Sequence, residues 1–172
     1  MRAFSYSYFY IIRCRLFEVK SFSYWLPLLL MIHIIKLIMT YYRIHTADIA
    51  YMTQQPRGLF TAIWKLVESK TLTQEETAEY WKNREYFEKV LPVPPFYKQD
   101  NPDHAITWFK DTPQGNDIYR QMDFYRAMAN KYGLKLYMSK CTEPPGEVIY
   151  EDDFQIAIKN QKADAEISLS EL

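Results

Sequence analysis

Residues 40–45 read TYYRIH, and the rest of the chain is best read outward from them. In an extended strand successive side chains alternate sides, so Tyr42 and Ile44 share one face, and Tyr41, Arg43 and His45 share the other. The same period of two recurs in residues 105–110 (AITWFK), where Ile106 and Trp108 oppose Thr107 and Phe109. It recurs again in residues 134–139 (LKLYMS), 147–150 (EVIY) and 154–158 (FQIAI). Turns at 144–146 and at Asp152–Asp153 separate the last of these strands.

Helical periodicity fills the intervals. After a short turn around residues 47–52, which Thr46 or Asp48 would cap, Pro56, Arg57 and Gly58 punctuate the chain. Residues 59–69 carry Leu59, Ile63, Leu66 and Val67 on one stripe, widened by Phe60 and Trp64. Thr73 and Glu76 form a capping-box pair that opens a second helix, and LPVPP (91–95) stops it, because Pro can neither continue a helix nor leave its predecessor free to do so. Residues 96–103 read as a polar loop. Residues 113–116 read as a turn, and Asn116 or Asp117 caps a third helix whose Ile118, Met122, Tyr125, Ala129 and Tyr132 are spaced four, three, four and three apart. Gly133 ends that helix. The order β, α, α, β, α, β, β, β predicts an α+β fold, a mostly antiparallel sheet of about five strands packed with three helices, spanning residues 39–160 as a single domain. Residues 161–172 are polar and predict a loose tail.

The first 38 residues differ in kind. They hold no Gly and no Asp, are aromatic and aliphatic almost throughout, and carry five basic side chains against one acid, Glu18. The apolar run from Phe22 to Met39 reaches 18 residues against the roughly 20 that a spanning helix needs, provided Lys36 can snorkel. Three readings stand: a signal anchor, a signal peptide without a small-residue cleavage site, or an extension that is not translated, with Met39 as the start. The abrupt change of composition at Met39 favours the third and predicts a cytoplasmic domain; the alternative is membrane anchoring through residues 22–39.

Composition sets further bounds. The 172 residues are 48% hydrophobic and 24% charged, enough apolar content for a packed core. Two Cys exclude a disulfide scaffold and a Cys-rich zinc module. After residue 38 there are 20 acidic residues and 16 basic ones, so nucleic acid is an unfavourable partner and a protein partner or acceptor a better one. The chain contains no Walker motif, GxGxxG, GxSxG or HExxH. Asp100, Asp103 and His104 match no firm metal-ligand spacing, so no metal is predicted. Lys140 beside Cys141 is a neighbour of the kind that lowers a thiol pKa.

Two groups of residues could carry chemistry. Arg43 and His45 stand about 7 Å apart on one strand face, and a guanidinium beside an imidazole could hold a phosphate or an amide-bearing ligand. Alternatively, Arg43 lies on a solvated face and His45 is satisfied at the strand end. Around the last hairpin, Glu147 and Glu151 share one face, and Asp153 and Gln155 share a face of the next strand. Such a group could steady a cationic transition state or act as a base, or it could simply serve the turn.

The stretch YYRIHTADI (41–49) resembles the first strand and following helix of ADP-ribosyltransferase-like domains, including the branch related to RNA 2′-phosphotransferases. PPGEVIYEDDFQIAI (144–158) resembles their last strands. The chain lacks the Ser-Thr-Ser strand and the Glu-x-Glu of that group. The resemblance implies a transferase that consumes NAD as co-substrate. His45 or Arg43 would grip the nicotinamide ribose side, and a residue among Glu151, Asp153 and Gln155 would face the ribosyl cation. The competing expectation is a non-enzymatic protein-binding module anchored by Trp81, Trp108, Tyr86 and Tyr97.

Overall fold

The computed structural model describes residues 39–172. The expectations placed on residues 1–38, including the apolar run that begins at Phe22, lie outside the described residues. Among the described residues no helix is long and apolar enough to cross a membrane.

Residues 39–172 form an α+β unit built on one seven-stranded sheet whose pairings are all antiparallel. In chain order the elements are β1 (Tyr41–Ile49), β2 (Pro56–Gly58), α1 (Leu59–Glu68), α2 (Gln74–Val90), a 3-10 turn (Pro95–Gln99), β3 (Ile106–Lys110), α3 (Pro113–Gln121), α4 (Asp123–Lys131), β4 (Leu136–Cys141), β5 (Glu147–Glu151), β6 (Gln155–Lys159) and β7 (Ser168–Glu171). The sheet order is β5-β6-β3-β1-β4-β7, with β2 paired to β1 off that path.

Alternation along the strands gives the sheet two apolar faces. Tyr42, Ile44, Phe109, Leu136 and Met138 pack with Leu59, Ile63, Phe87 and Tyr125 of the helices. Tyr41, Ile106, Trp108, Cys141, Ile156 and Ile158 form a second cluster on the opposite face, joined by Met39 and Ile167. Trp108 therefore belongs to the face away from the helices. It is 2% exposed, and its indole N–H has no partner among the described residues, so it is no interface anchor.

Local chemistry explains most helix ends. Thr73 Oγ1 accepts from the Glu76 amide at 3.2 Å, and Glu76 Oε2 accepts from the Thr73 amide at 2.9 Å, closing the capping box of α2. Leu91 in extended backbone ends the helix before Pro92, as the LPVPP segment predicts.

The differences from the sequence reading have physical causes. The sheet has seven strands rather than about five, and residues 39–172 hold four α-helices rather than three. β1 runs on to Ile49 instead of giving way to a helical turn at Thr46, because β4 and β2 offer it backbone partners as far as Thr46 and Ile49. The cap before the third helix is Thr112, whose hydroxyl accepts from the Gly115 amide at 3.1 Å, so the helix starts at Pro113. That helix breaks at Met122 into α3 and α4, yet Ile118, Met122, Tyr125 and Ala129 stay on one buried stripe. Within the tail expected to be loose, Ser168–Glu171 pairs with β4 as an edge strand, although all four residues are exposed.

Candidate functional site

The site begins with a gap in the pairing of β1. On the edge opposite β4, Tyr41 and Tyr42 pair with β3, while His45 and Ile49 pair with β2. Arg43 and Ile44 fall between these two neighbours, and there a cleft of about 1220 Å³ opens. Its walls include Phe60, Trp64, Phe109 and Tyr125, and Arg43, Arg57 and Gln155 are among its polar lining.

Arg43 is only 8% exposed. Its Nη2 donates to the Pro56 carbonyl, and it forms no ion pair among the described residues. Burial pushes the guanidinium pKa down to about 10, with nearby Tyr97 acting in the opposite sense. Tyr97, on the 3-10 turn, is fixed by a 2.9 Å hydrogen bond between its hydroxyl and that of Thr107 on β3.

Gln155 reaches the same cleft from the first position of β6, two strands from β1. Its Nε2 donates to the Pro92 carbonyl at 2.7 Å and to Asp152 Oδ2 at 3.1 Å. Both acceptors are obligatory ones, so the amide orientation is fixed and the carbonyl oxygen points away from them. Asp152 Oδ1 in turn accepts from the amides of Phe154 (2.7 Å) and Gln155 (3.0 Å), and the Tyr150 hydroxyl donates to Oδ2 (2.8 Å). The turn carboxylate thus sets the side chain that enters the cleft. The segment that stops α2 supplies the second clamp.

The other expected site residues lie elsewhere. His45 is buried on the same strand face as Arg43 but does not line the cleft. Its Nδ1 lies 2.9 Å from the Thr46 carbonyl, which can only accept, so Nδ1 carries the proton and Nε2 accepts from the Ser139 hydroxyl at 2.8 Å. Its ring also stacks on Tyr137 at 6.0 Å between centroids. Burial holds the His45 pKa below the ordinary histidine value, and the Arg43 charge adds to this against the pull of the Thr46 carbonyl.

Glu151 is engaged in a 2.6 Å ion pair with Lys110, whose Nζ also donates to the Asp152 carbonyl. Asp153 is exposed in the turn. Glu147 and Glu151 do not share a face. They lie opposite Lys159 and Ile156, which are three apart on β6, and the intervening bulge flips the phase of β5. Of the five expected residues, the cleft gathers Arg43 and Gln155.

Burial pushes the Cys141 thiol up to about 11, so proximity to Lys140 does not activate it. Among the described residues, no three His, Cys, Asp or Glu side chains gather as metal ligands.

Sequence reasoning gave Arg57, Tyr97 and Asp152 no part in a ligand site, naming Tyr97 only as an interface anchor and Asp152 only near the last hairpin turn. Arg57 was hidden among turn residues, and Tyr97 in a segment read as a loop. An Asp three residues before a strand start is an available signal, because a carboxylate there caps the next backbone amides. Comparisons with protein-family models, with curated proteins and with solved structures find no match for this chain.

Proposed function

We propose that the cleft binds a nucleotide-type ligand, and that the domain is an ADP-ribosyltransferase-like enzyme with NAD as its co-substrate. One observation carries this reading. A buried arginine from the opening strand and a fixed glutamine from the closing hairpin line the same aromatic-walled cleft. Flat rings suit stacking of a base or a nicotinamide. Arg43 supplies charge-assisted donors to ribose or phosphate oxygens. The Gln155 carbonyl oxygen is a neutral acceptor suited to a cationic sugar.

In the reaction the bond between nicotinamide nitrogen and ribose C1′ breaks, and nicotinamide leaves with the bonding pair. A polar acceptor then adds to the oxocarbenium-like carbon and loses its proton. Positioning and electrostatic stabilisation supply the rate. Because Glu151 is tied to Lys110 and Asp153 faces solvent, Gln155 is the residue assigned to the reacting sugar.

Thermal unfolding of the full chain with and without NAD tests binding, since a ligand at 100 times its Kd stabilises by about 2.7 kcal/mol. Release of nicotinamide, followed by chromatography, tests turnover. The expected result is a raised Tm and nicotinamide release that Gln155→Leu suppresses. An unchanged Tm at millimolar NAD overturns the reading.

The second reading is a protein-binding module. The exposure of Trp81 (47%), Tyr86 (38%) and Tyr97 (42%) favours it, whereas buried Trp108 contributes nothing to such a surface. An NAD-independent role of this kind predicts that Trp81→Ala abolishes partner capture while Gln155→Leu leaves it intact.

A further inference from the structure

The first turn of α1 begins beside Arg43. Its N-cap is Gly58, which offers no side chain to the free amides, and the turn contains no acidic residue. A Cβ placed on Gly58 would lie 3.8 Å from Arg43 Nη2, so the guanidinium sits against the cap. Arg57 precedes it, with a buried Nε that has no partner among the described residues. All of these groups line the cleft.

The Arg43 guanidinium thus lies against the α1 N-terminus, and Arg57 lines the same cleft with no carboxylate paired to either arginine among the described residues. Arg84, Arg120 and Arg126 each pair with a carboxylate one turn away, whereas neither Arg43 nor Arg57 forms an ion pair among the described residues. The N-terminus of a helix carries about half a positive charge, and its first amides lack intrahelical acceptors. A buried guanidinium held against that end is costly unless an anion joins it. Two carboxylates line the cleft: Glu88, taken by Arg84 at 2.7 Å, and Asp100, exposed at the end of the 3-10 turn, and neither pairs with Arg43 or Arg57.

We propose that Arg43, Arg57 and the first amides of α1 form an anion subsite for a phosphate or pyrophosphate group of the ligand. The proposal rests on the ligand-cleft reading above and names the charged part of that ligand. A tetrahedral oxyanion suits the arrangement, because guanidinium groups donate in pairs to phosphate oxygens and helix amides receive the remaining lone pairs. The aromatic walls then take the uncharged end of the same molecule.

The test is calorimetric titration of the full chain with inorganic pyrophosphate, with NAD and with nicotinamide. Three variants accompany the wild type: Arg57→Gln, Gly58→Asp and, as a control for lost surface charge, Lys82→Gln. Arg57 is partly exposed, and Gly58 has ordinary extended backbone (φ −63°), so both changes are compatible with folding. Pyrophosphate should bind the wild type and Lys82→Gln alike. Arg57→Gln should weaken it by about tenfold or more, the loss expected of one charge-assisted contact. Gly58→Asp places a carboxylate where the anion would sit, so it should raise the Tm and abolish pyrophosphate binding.

Wild-type protein that ignores pyrophosphate at millimolar concentration overturns the subsite, as do variants that bind it with unchanged affinity. Pyrophosphate binding without NAD binding supports the subsite and removes the dinucleotide reading. NAD affinity untouched by both Arg57→Gln and Gly58→Asp retains that reading and overturns the subsite.

Discussion

Asp152→Asn changes one atom, and the structure predicts that it cannot be accommodated quietly. Gln155 is 5% exposed, and its Nε2 donates to two acceptors, the Pro92 carbonyl and Asp152 Oδ2. In the variant, the carbonyl oxygen of the introduced amide keeps the backbone N–H groups of Phe154 and Gln155, which turns the new NH2 group toward the Gln155 side chain. If the Gln155 amide stays as it is, two N–H groups face each other. If it flips, its oxygen accepts from the introduced amide but meets the Pro92 carbonyl. Either way one polar contact of the buried Gln155 amide is lost. Tyr150 gives no relief, because its hydroxyl rotates to accept as readily as to donate and adjusts in both cases.

A buried donor or acceptor left without its partner costs about 1–3 kcal/mol. Urea unfolding of the full chain should show a loss in that range with no change in the slope. The frustration needs both amides, so it should disappear when position 155 is apolar. In a Gln155→Leu background, Asp152→Asn should cost less than about 1 kcal/mol, and the double-mutant cycle should return the difference as a coupling energy. A single variant within about 0.5 kcal/mol of the wild type, or a cycle with no coupling, would refute the described clamp. The consequence for the site also follows. Asp152→Asn should weaken NAD as Gln155→Leu does, although Asp152 points at Gln155 rather than at the ligand.

Gly115→Ala should destabilise by about 2–3 kcal/mol in urea unfolding. A Cβ there would lie 1.8 Å from the Lys110 carbonyl oxygen, and the strain of overpacking exceeds the roughly 1 kcal/mol that Ala gains over Gly in a helix. A stabilised variant would mean that α3 does not abut the end of β3. Thr73→Ala should lower stability by about 1 kcal/mol through the lost cap of α2, and an unchanged Tm would remove that assignment. The His45 pKa lies below that of a free imidazole, so the unfolded chain takes up a proton near pH 6.5 while the native ring does not. His45 stability is therefore complete above about pH 6.5 and falls as the pH drops toward the native pKa, by at most about 1.4 kcal/mol per unit. His45→Gln should flatten the decline in Tm between pH 7 and pH 5; parallel curves would refute a buried neutral ring.

Features that depend on nearby residues were legible in the sequence. The alternation of TYYRIH and AITWFK, the Thr73 capping box and the LPVPP stop each draw on chemistry within a few positions, and the structure contains them. Features that depend on distant partners were not legible. Thr46–Ile49 looks like a turn in isolation and becomes strand because β2 and β4 complete its hydrogen bonding. Ser168–Glu171 is exposed and polar, so no pattern marks it; the open edge of β4 recruits it. A bulge in β5 moved Glu147 to the face opposite Glu151, and even spacing cannot reveal an inserted residue.

The candidate site shows the same division within two residues. Arg43 and His45 leave β1 on the same side, and strand geometry alone would give them one environment. Their fates diverge because of what lies along the edge of the strand. His45 is opposite Gly58 of β2, and its ring turns to Ser139 and Tyr137 of β4, so every polar atom of the imidazole is satisfied internally. At Arg43 the pairing with β3 has already stopped, although β3 itself runs on beside β6, and the pairing with β2 has not yet begun, so Arg43 lines the cleft. A pair chosen by face therefore resolves into one structural histidine and one available guanidinium. Arg57, in β2 just before the Gly58 cap of α1, and Gln155, at the start of β6, line the cleft that opens at this gap. The residues that can hold a ligand are thus selected by where the pairing of β1 is interrupted, and substitutions there should change ligand affinity far more than substitutions at His45.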